Sequence, residues 1–416
     1  MRMKYRLRSF PFWLVMLLGV STRMSAEESA PMEQTWEVTF VASKDSSPKV
    51  IAGRILIEAQ DGGILFEDRV GVIWNITPDQ QISRTSGEGT YALLPADELA
   101  ASLKNELGES TEIVRSEHYI IATAGNRSHA EWCVELFEEL MTTFLAYWES
   151  SELSLELPES PLLVVIHRDR ATFAEAARIE AGPEFAQANG YYSMKTNRVV
   201  LFDPTGNRKP STNRRSPVRS RSDIQRFMAA NPHVIATTIH EATHQLAYNS
   251  GMHTRYADNP LWLTEGMALY FEVPDKRVRT GWGKIGGVNR PRLDRFRKSL
   301  SGTQTFGRPI AKGTGENSLL PSLRDARLTS LVADDTRFSD PQAREVAYAE
   351  AWALTHFLLA NHRHQYIRYI AKCSEGAHLR WKSREERLQD FKEVFNVTPD
   401  EMEVDLLRYV AKLGRR

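Results

Sequence analysis

The chain has few cysteines, no excess of charge of either sign, and no internal repeat. Only Cys133 and Cys373 occur among its 416 residues, so it can build neither a disulfide-rich scaffold nor a Cys-x-x-Cys zinc site. The two thiols can pair in an oxidising compartment or remain buried and free. The 53 basic and 53 acidic residues cancel, which argues against general nucleic-acid binding, because that needs a surplus of Lys and Arg to neutralise phosphates.

Long apolar runs are also missing beyond the first 26 residues, and a membrane-spanning helix needs about 20 such residues. Residues 1–8 carry four basic side chains, residues 9–20 are mostly apolar, and small residues follow up to Ala26. This order predicts a signal peptide over residues 1–26, and therefore an exported protein that is periplasmic or secreted and keeps no stable membrane span. An uncleaved signal anchor is the alternative, because Met24-Ser25-Ala26 is a mediocre cleavage site.

The remaining composition, with 42% hydrophobic and 25% charged residues, is typical of a folded protein with two or three domains. Short β-branched and aromatic runs separated by turn residues predict a small β-rich domain over residues 35–112. This domain carries no catalytic constellation. Helices then alternate with strands, and about the last 180 residues read as mainly helical. We therefore expect an α+β protein with a second domain over residues 115–416.

Local signals give some of the element boundaries. Ser128-His-Ala-Glu131 and Thr398-Pro-Asp-Glu401 both have the capping-box pattern that opens a helix. The run Asn197–Phe202 follows Gly190-Tyr-Tyr and predicts a pair of strands. Residues 206–226 are basic and rich in turn residues, which predicts a surface loop; a lid or a contact with an anionic polymer is the alternative.

The chemistry is concentrated in residues 231–248, Asn-Pro-His-Val-Ile-Ala-Thr-Thr-Ile-His-Glu-Ala-Thr-His-Gln-Leu-Ala-Tyr. Asn231 can cap a helix, and Pro232 suits its first turn. His240 and His244 are four residues apart, so they lie on one face of that helix and can chelate a single Zn²⁺. Glu241 is then placed to accept a proton from a water that the zinc activates.

This His-Glu-x-x-His pattern arises by chance in only about one or two chains per hundred of this length. The alternative is a helix with two core or exposed histidines. A third ligand is available in Leu261-Trp-Leu-Thr-Glu-Gly-Met, since Glu265 lies 21 residues after His244 at the start of a second predicted helix. A His₂Glu set leaves one zinc position open, as catalytic sites do. Glu272, two turns further on, is the second candidate ligand.

The two motifs, His240-Glu-Ala-Thr-His244 and Trp262-Leu-Thr-Glu-Gly-Met-Ala-Leu-Tyr270, resemble those of the gluzincin metallopeptidases, the peptidase MA-like group, and within it a family of exported bacterial proteins. The resemblance covers roughly residues 115–370. It implies a thermolysin-like zincin fold with a mixed sheet, zinc held by the two histidines and Glu265, and Glu241 as general base. It also implies an oxyanion donor, for which Tyr348 is the candidate, and a substrate-binding edge strand.

For that edge strand we take Asn197–Phe202 as the candidate; an ordinary internal strand is the alternative. The resulting hypothesis is a zinc-dependent peptidase acting on a peptide or protein substrate. A second hypothesis is a non-catalytic, zinc-stabilised binding or scaffold protein of the cell envelope, in which the β-rich domain or the basic loop recognises the partner. A third, an anionic cell-wall or polysaccharide binder acting through residues 206–226, rests on composition alone.

Overall fold

The computed structural model describes residues 34–42, 46–149, 153–206, 220–273, 282, 285–300 and 327–413. Its α+β class, its β-rich N-terminal region, its mixed sheet and its helical C-terminal part confirm the predicted fold class. The predicted signal peptide (residues 1–26) and most of the predicted basic loop (residues 207–219) lie outside the described residues. Residues 221–226 at the end of that predicted loop are helical, so the loop prediction is wrong there.

The N-terminal region is an antiparallel sheet with the strand order β4-β3-β2-β1-β5. Its strands are β1 (Gln34–Phe40), β2 (Lys49–Glu58), β3 (Ile64–Asp68), β4 (Ile73–Ile76) and β5 (Gln81–Thr90). Val38, Phe40, Ile64, Phe66 and Ile76 form its core. Short β-branched or aromatic runs at residues 36–41, 49–52, 54–58, 63–66 and 70–74 predict strands in the region of the first four. No such run predicts β5, whose residues are almost all polar and at least partly exposed.

The second sheet is mixed, with the strand order β6-β7-β8-β10-β9. Its elements along the chain are α1 (Ala96–Leu107), β6 (Glu112–Arg115), β7 (Tyr119–Thr123), α2 (Arg127–Trp148), β8 (Leu162–His167), α3 (Arg170–Glu180), β9 (Tyr191–Ser193) and β10 (Arg198–Phe202). Strands β7, β8 and β10 run parallel, and the two outer strands run antiparallel to their neighbours.

Helices cover both faces of this sheet. Alternate residues of a strand point to opposite faces, so neighbouring residues of one strand contact different helices. On β7, Ile120 and Ala122 pack against α1, whereas Tyr119 and Ile121 belong to the main core with α2. Helix α1 lies before the domain boundary that we predict at residues 112–115, and yet it packs on the second sheet.

The rest of the described chain is helical. Its helices are α4 (Arg221–Ala230), α5 (Pro232–Asn249), α6 (Leu261–Phe271), α7 (Arg290–Leu300), α8 (Arg327–Ala333), α9 (Thr336–Ser339), α10 (Arg344–Asn361), α11 (Arg363–Ser374), α12 (Arg384–Phe395) and α13 (Pro399–Lys412). None of the helices in the described ranges combines the length and the apolar character needed to cross a bilayer. Cys133 and Cys373 are buried free thiols.

One predicted cap is correct, one is correct in position only, and one is wrong. Thr398 forms its capping box with Glu401 as expected. Helix α2, however, is capped by Asn126, whose Oδ1 accepts the Ser128 N–H at 2.9 Å, so the capping box that we predicted at Ser128 is wrong. Asn231 precedes α5, but its side chain donates backwards to the Phe227 carbonyl (2.7 Å) instead of capping the helix.

Candidate metal centre

Helix α5 carries the His-Glu-x-x-His motif on one face and packs into the core with the other. Its apolar face consists of Ile235, Ile239, Ala242 and Leu246, all buried. Gln245 fixes the helix to the second sheet, because its Nε2 donates to the carbonyl oxygens of Leu163 (2.9 Å) and Asn197 (3.0 Å). The motif side chains therefore project from a helix whose rotation about its axis is set by the core and the sheet.

Helix α6 brings Glu265 to the motif. The next residue, Gly266, allows α6 to pack closely against α10. A Cβ added to Gly266 would lie 2.6 Å from the carbonyl oxygen of Ala351 on α10 and would also collide with Thr355. Only glycine permits this approach of the two helices. The Glu-Gly pair thus combines a candidate ligand with the close contact that holds its helix in place.

Three donor atoms converge at one point. Nε2 of His240 lies 3.2 Å from Nε2 of His244 and 3.1 Å from Oε2 of Glu265, and the remaining edge, from His244 to Glu265, measures 3.6 Å. Ligand atoms on a tetrahedral zinc with bonds of about 2.0–2.1 Å lie about 3.3–3.4 Å apart. The triangle therefore has the size that zinc requires. In the described part of the chain, these three residues are the group that could hold a metal ion.

Glu272 lies on the other side of the His240 ring. Its Oε2 is 2.9 Å from Nδ1 of His240, and its Oε1 accepts a hydrogen bond from Nδ2 of Asn289 at 2.8 Å. A proton on Nδ1 donated to this carboxylate leaves the Nε2 lone pair facing the other two donor atoms. Glu272 is thus outside the ligand group, which contradicts its place as second candidate ligand, and it orients His240 instead.

The charges around the imidazoles favour a cation. Burial acts to lower the pKa of His240, but hydrogen bonds to Glu265 and Glu272 raise that pKa well above its usual value. Burial acts to raise the pKa of Glu265, yet His244 and His240 hold it well below its usual range. Three carboxylates, counting Glu241, thus surround two imidazoles, and a bound divalent cation would offset two of their three negative charges.

Glu241 is held at the edge of the second sheet. Its Oε2 accepts the backbone N–H of Tyr192 on β9 at 2.9 Å. Burial, opposed by His240 and His244, raises the pKa of the Glu241 carboxyl. The carboxylate is thus fixed by one backbone hydrogen bond next to the ligand group.

The same contact identifies the edge strand. β10 lies between β8 and β9, so our prediction of Asn197–Phe202 as the edge strand is wrong; it is the internal strand of the alternative. Among the described strands, β9 forms this edge of the sheet. The sequence does not show which of the two strands is the edge, because both are short and their order depends on long-range pairing.

A cavity of about 220 Å³ lies between the first turns of α5 and the end of β10, and none of the motif residues lines it. Leu201 and Phe202 of β10, together with Val234 and Thr237 of α5, are among its lining residues. Thr237 is one helical turn before Glu241, and Asn189, which also lines the cavity, precedes β9 by two positions. The lining of the cavity mixes apolar and polar residues.

Tyr348 on α10 is close enough to Glu265 and Glu241 for their charges to act on it. Its ring packs at 5.4 Å from the Phe338 ring, with the Arg292 guanidinium 5.4 Å from its centre. Burial raises the pKa of Tyr348 well above its usual value, and the negative charges of Glu265 and Glu241 add to the increase. The phenol consequently stays protonated and can donate a hydrogen bond.

The chain is similar to one family in this region. A family described as "Protein of unknown function (DUF1570)" matches residues 234–309 and 316–379. The match includes His240, Glu241, His244, Glu265 and Tyr348, so every candidate site residue lies inside it. No curated protein matches the chain.

Proposed function

We propose that the protein is a zinc-dependent peptidase of the gluzincin type. His240, His244 and Glu265 would hold the zinc, and Glu241 would act as general base. The observation that carries this proposal is the triangle of three donor atoms, with edges of 3.1, 3.2 and 3.6 Å, beside a carboxylate that is not part of it. A His₂Glu set leaves a coordination position open, as hydrolytic zinc sites require.

The chain's own residues have distinct parts in this reaction. Zinc, when bound, polarises the carbonyl and lowers the pKa of the attacking water. Glu241 takes a proton from that water and returns it to the leaving amine. Tyr348 donates a hydrogen bond to the oxygen that becomes negative as the carbonyl is attacked. Glu272 keeps the Nδ1 proton of His240 in place, so that Nε2 remains a ligand.

A peptide substrate is favoured over other carbonyl compounds by the surroundings of the site. A strand at the edge of a sheet can pair with an extended peptide through backbone hydrogen bonds, and β9 reaches Glu241 through Tyr192.

The alternative, a zinc-stabilised binding or scaffold protein, needs no general base beside the ligand group. Glu241→Gln separates the two hypotheses, since it keeps the shape of the side chain but removes the base. We expect peptide-library cleavage to fall by about 10²–10⁴-fold with zinc retained. Glu175→Gln, an exposed glutamate on α3 that pairs with Arg178, is the matched control and should cleave normally.

Two results would contradict the proposal. Wild-type turnover in Glu241→Gln would exclude this residue as the general base. A zinc-loaded wild-type protein that cleaves no member of the library would favour the scaffold hypothesis.

We also propose that the protein is exported and acts in the periplasm or outside the cell. Residues 1–26 support this through their basic end, apolar run and small residues. N-terminal sequencing of the natural protein should begin at Glu27. A first residue of Met1 or Arg2 would indicate an uncleaved signal anchor.

A further inference from the structure

The hairpin formed by β9 and β10 contacts α5 through its turn. Asn197 in that turn has a φ of 56°. Its Oδ1 accepts a hydrogen bond from Nδ2 of Asn249 at 2.8 Å, and its carbonyl oxygen accepts one from Gln245 at 3.0 Å. One side of the turn is therefore fixed to the helix that carries the metal ligands.

The first sheet contacts the same turn. The N–H of Ile73 on β4 donates to the carbonyl oxygen of Lys195 at 2.7 Å. The Lys195 ammonium also lies 5.4 Å from the centre of the Trp74 ring. The N-terminal sheet thus forms a backbone hydrogen bond with the hairpin that carries the edge strand.

Arg255, in the segment after α5, connects these parts. Its Nη1 donates to the carbonyl oxygens of Gly71 (2.9 Å) and Met194 (3.2 Å), and its Nη2 bonds to the Glu67 carboxylate of β3. Only 10% of the Arg255 side chain is exposed, and 7% of that of Glu67. A guanidinium can bind three acceptors in one plane, whereas a lysine ammonium cannot reproduce this fork.

We propose that Arg255 is a positioning residue through which the N-terminal sheet sets β9 and, by way of the Tyr192 N–H, the carboxylate of Glu241. Met194, which Arg255 holds, is two residues after Tyr192 in the chain. The N-terminal region is then a fixed support of the site rather than a separate recognition module. The effect on catalysis rests on the proposed peptidase function; the mechanical link does not.

Arg54 supplies a matched control. It bonds to the same Glu67 carboxylate, with Nε 2.9 Å from Oε2, and stacks on Tyr91. Removing Arg54 therefore deprives Glu67 of one cationic partner and leaves the bonds from Arg255 to the hairpin intact. Comparing Arg255→Ala with Arg54→Ala therefore distinguishes the loss of the bonds from Arg255 to the hairpin from a general destabilisation of the first sheet.

The experiment measures amide hydrogen exchange of the peptides covering residues 189–197, together with zinc content and kcat/KM, in the full-length zinc-loaded protein. In Arg255→Ala we expect exchange at residues 191–195 to accelerate by about tenfold or more. We also expect kcat/KM to fall by about 10–100-fold, with zinc retained. Arg54→Ala should match the wild type in amide exchange and in kcat/KM. Arg255→Lys should give values between those of the wild type and of Arg255→Ala.

Unchanged exchange in Arg255→Ala, or equal acceleration in both alanine variants, would overturn the inference. If Arg255→Ala does not fold, Arg255→Lys gives the same comparison, and wild-type exchange and kcat/KM in that variant would overturn it. A wild type that cleaves no peptide refutes the proposed function, while the exchange data still decide whether Arg255 holds the hairpin.

Discussion

Glu272→Gln tests the orientation of His240 without touching a proposed ligand. The native carboxylate is 2.9 Å from Nδ1 of His240 and is itself held by Asn289. Glutamine keeps the shape and one acceptor oxygen but loses the charge. A hydrogen bond to a charged group contributes about 1.5–3 kcal/mol, against about 0.5–1.5 kcal/mol between neutral groups.

The difference, about 1–1.5 kcal/mol, corresponds to a rise of about tenfold in the zinc Kd. This magnitude lies within the roughly 10–100-fold loss usual for partners of a ligand histidine. Glu272→Ala removes the acceptor altogether and should approach the upper end of that range. The assay is competition for zinc against a chromophoric chelator at one fixed pH, with each variant compared with the wild type.

Glu265→Ala is the reference, because a lost ligand must weaken binding more than a lost partner of a ligand. If Glu272→Ala abolished zinc binding while Glu265→Ala retained it, the assignment of the two glutamates would be reversed. A zinc Kd that is unchanged in both Glu272 variants would show that this carboxylate does not support His240.

Three further predictions concern the surroundings of the site. Tyr348→Phe should lower kcat by about 10²–10³-fold with zinc retained; full kcat would remove Tyr348 as the oxyanion donor. Gly266→Ala forces α6 away from Ala351, so thermal unfolding should show a loss of about 1–3 kcal/mol and zinc should bind more weakly; a wild-type Tm would contradict the packing argument. Burial, with His244 adding to it, lowers the pKa of His253 to about 3, so the unfolded state binds the extra proton and stability falls as the pH drops below about 6.5. Between pH 7 and pH 4.5, His253→Phe should lose about 2–3 kcal/mol less than the wild type in urea titrations, and parallel losses would contradict this.

The candidate metal ligands could be singled out from the sequence because most of the information is local. His240 and His244 are one turn apart on a single helix, so their spacing alone places them together. Glu265 required tertiary structure, and the sequence supplied only a suitable distance along the chain. Glu272 lies on the same side of α6 two turns later, and only the fold shows that it reaches Nδ1 rather than Nε2 of His240.

Other features could not be predicted from the sequence, for identifiable physical reasons. Strand β5 pairs with β1 but buries almost no side chain, so it has no apolar pattern. Asn126 and Ser128 are both good capping residues, and the sequence does not show that the Asn126 N–H bonds to Asp203, which lies 77 residues further along the chain. Neither the order of β9 and β10 nor the bond from Arg255 to Met194 has a local signature, because both depend on segments far apart in the chain.

The most direct test of the account is the zinc content of the purified mature protein measured beside that of Glu265→Ala. We predict about one zinc per chain in the wild type, and loss or clear weakening of binding in the variant. A wild type that holds no zinc after mild reloading would contradict the proposed metal centre.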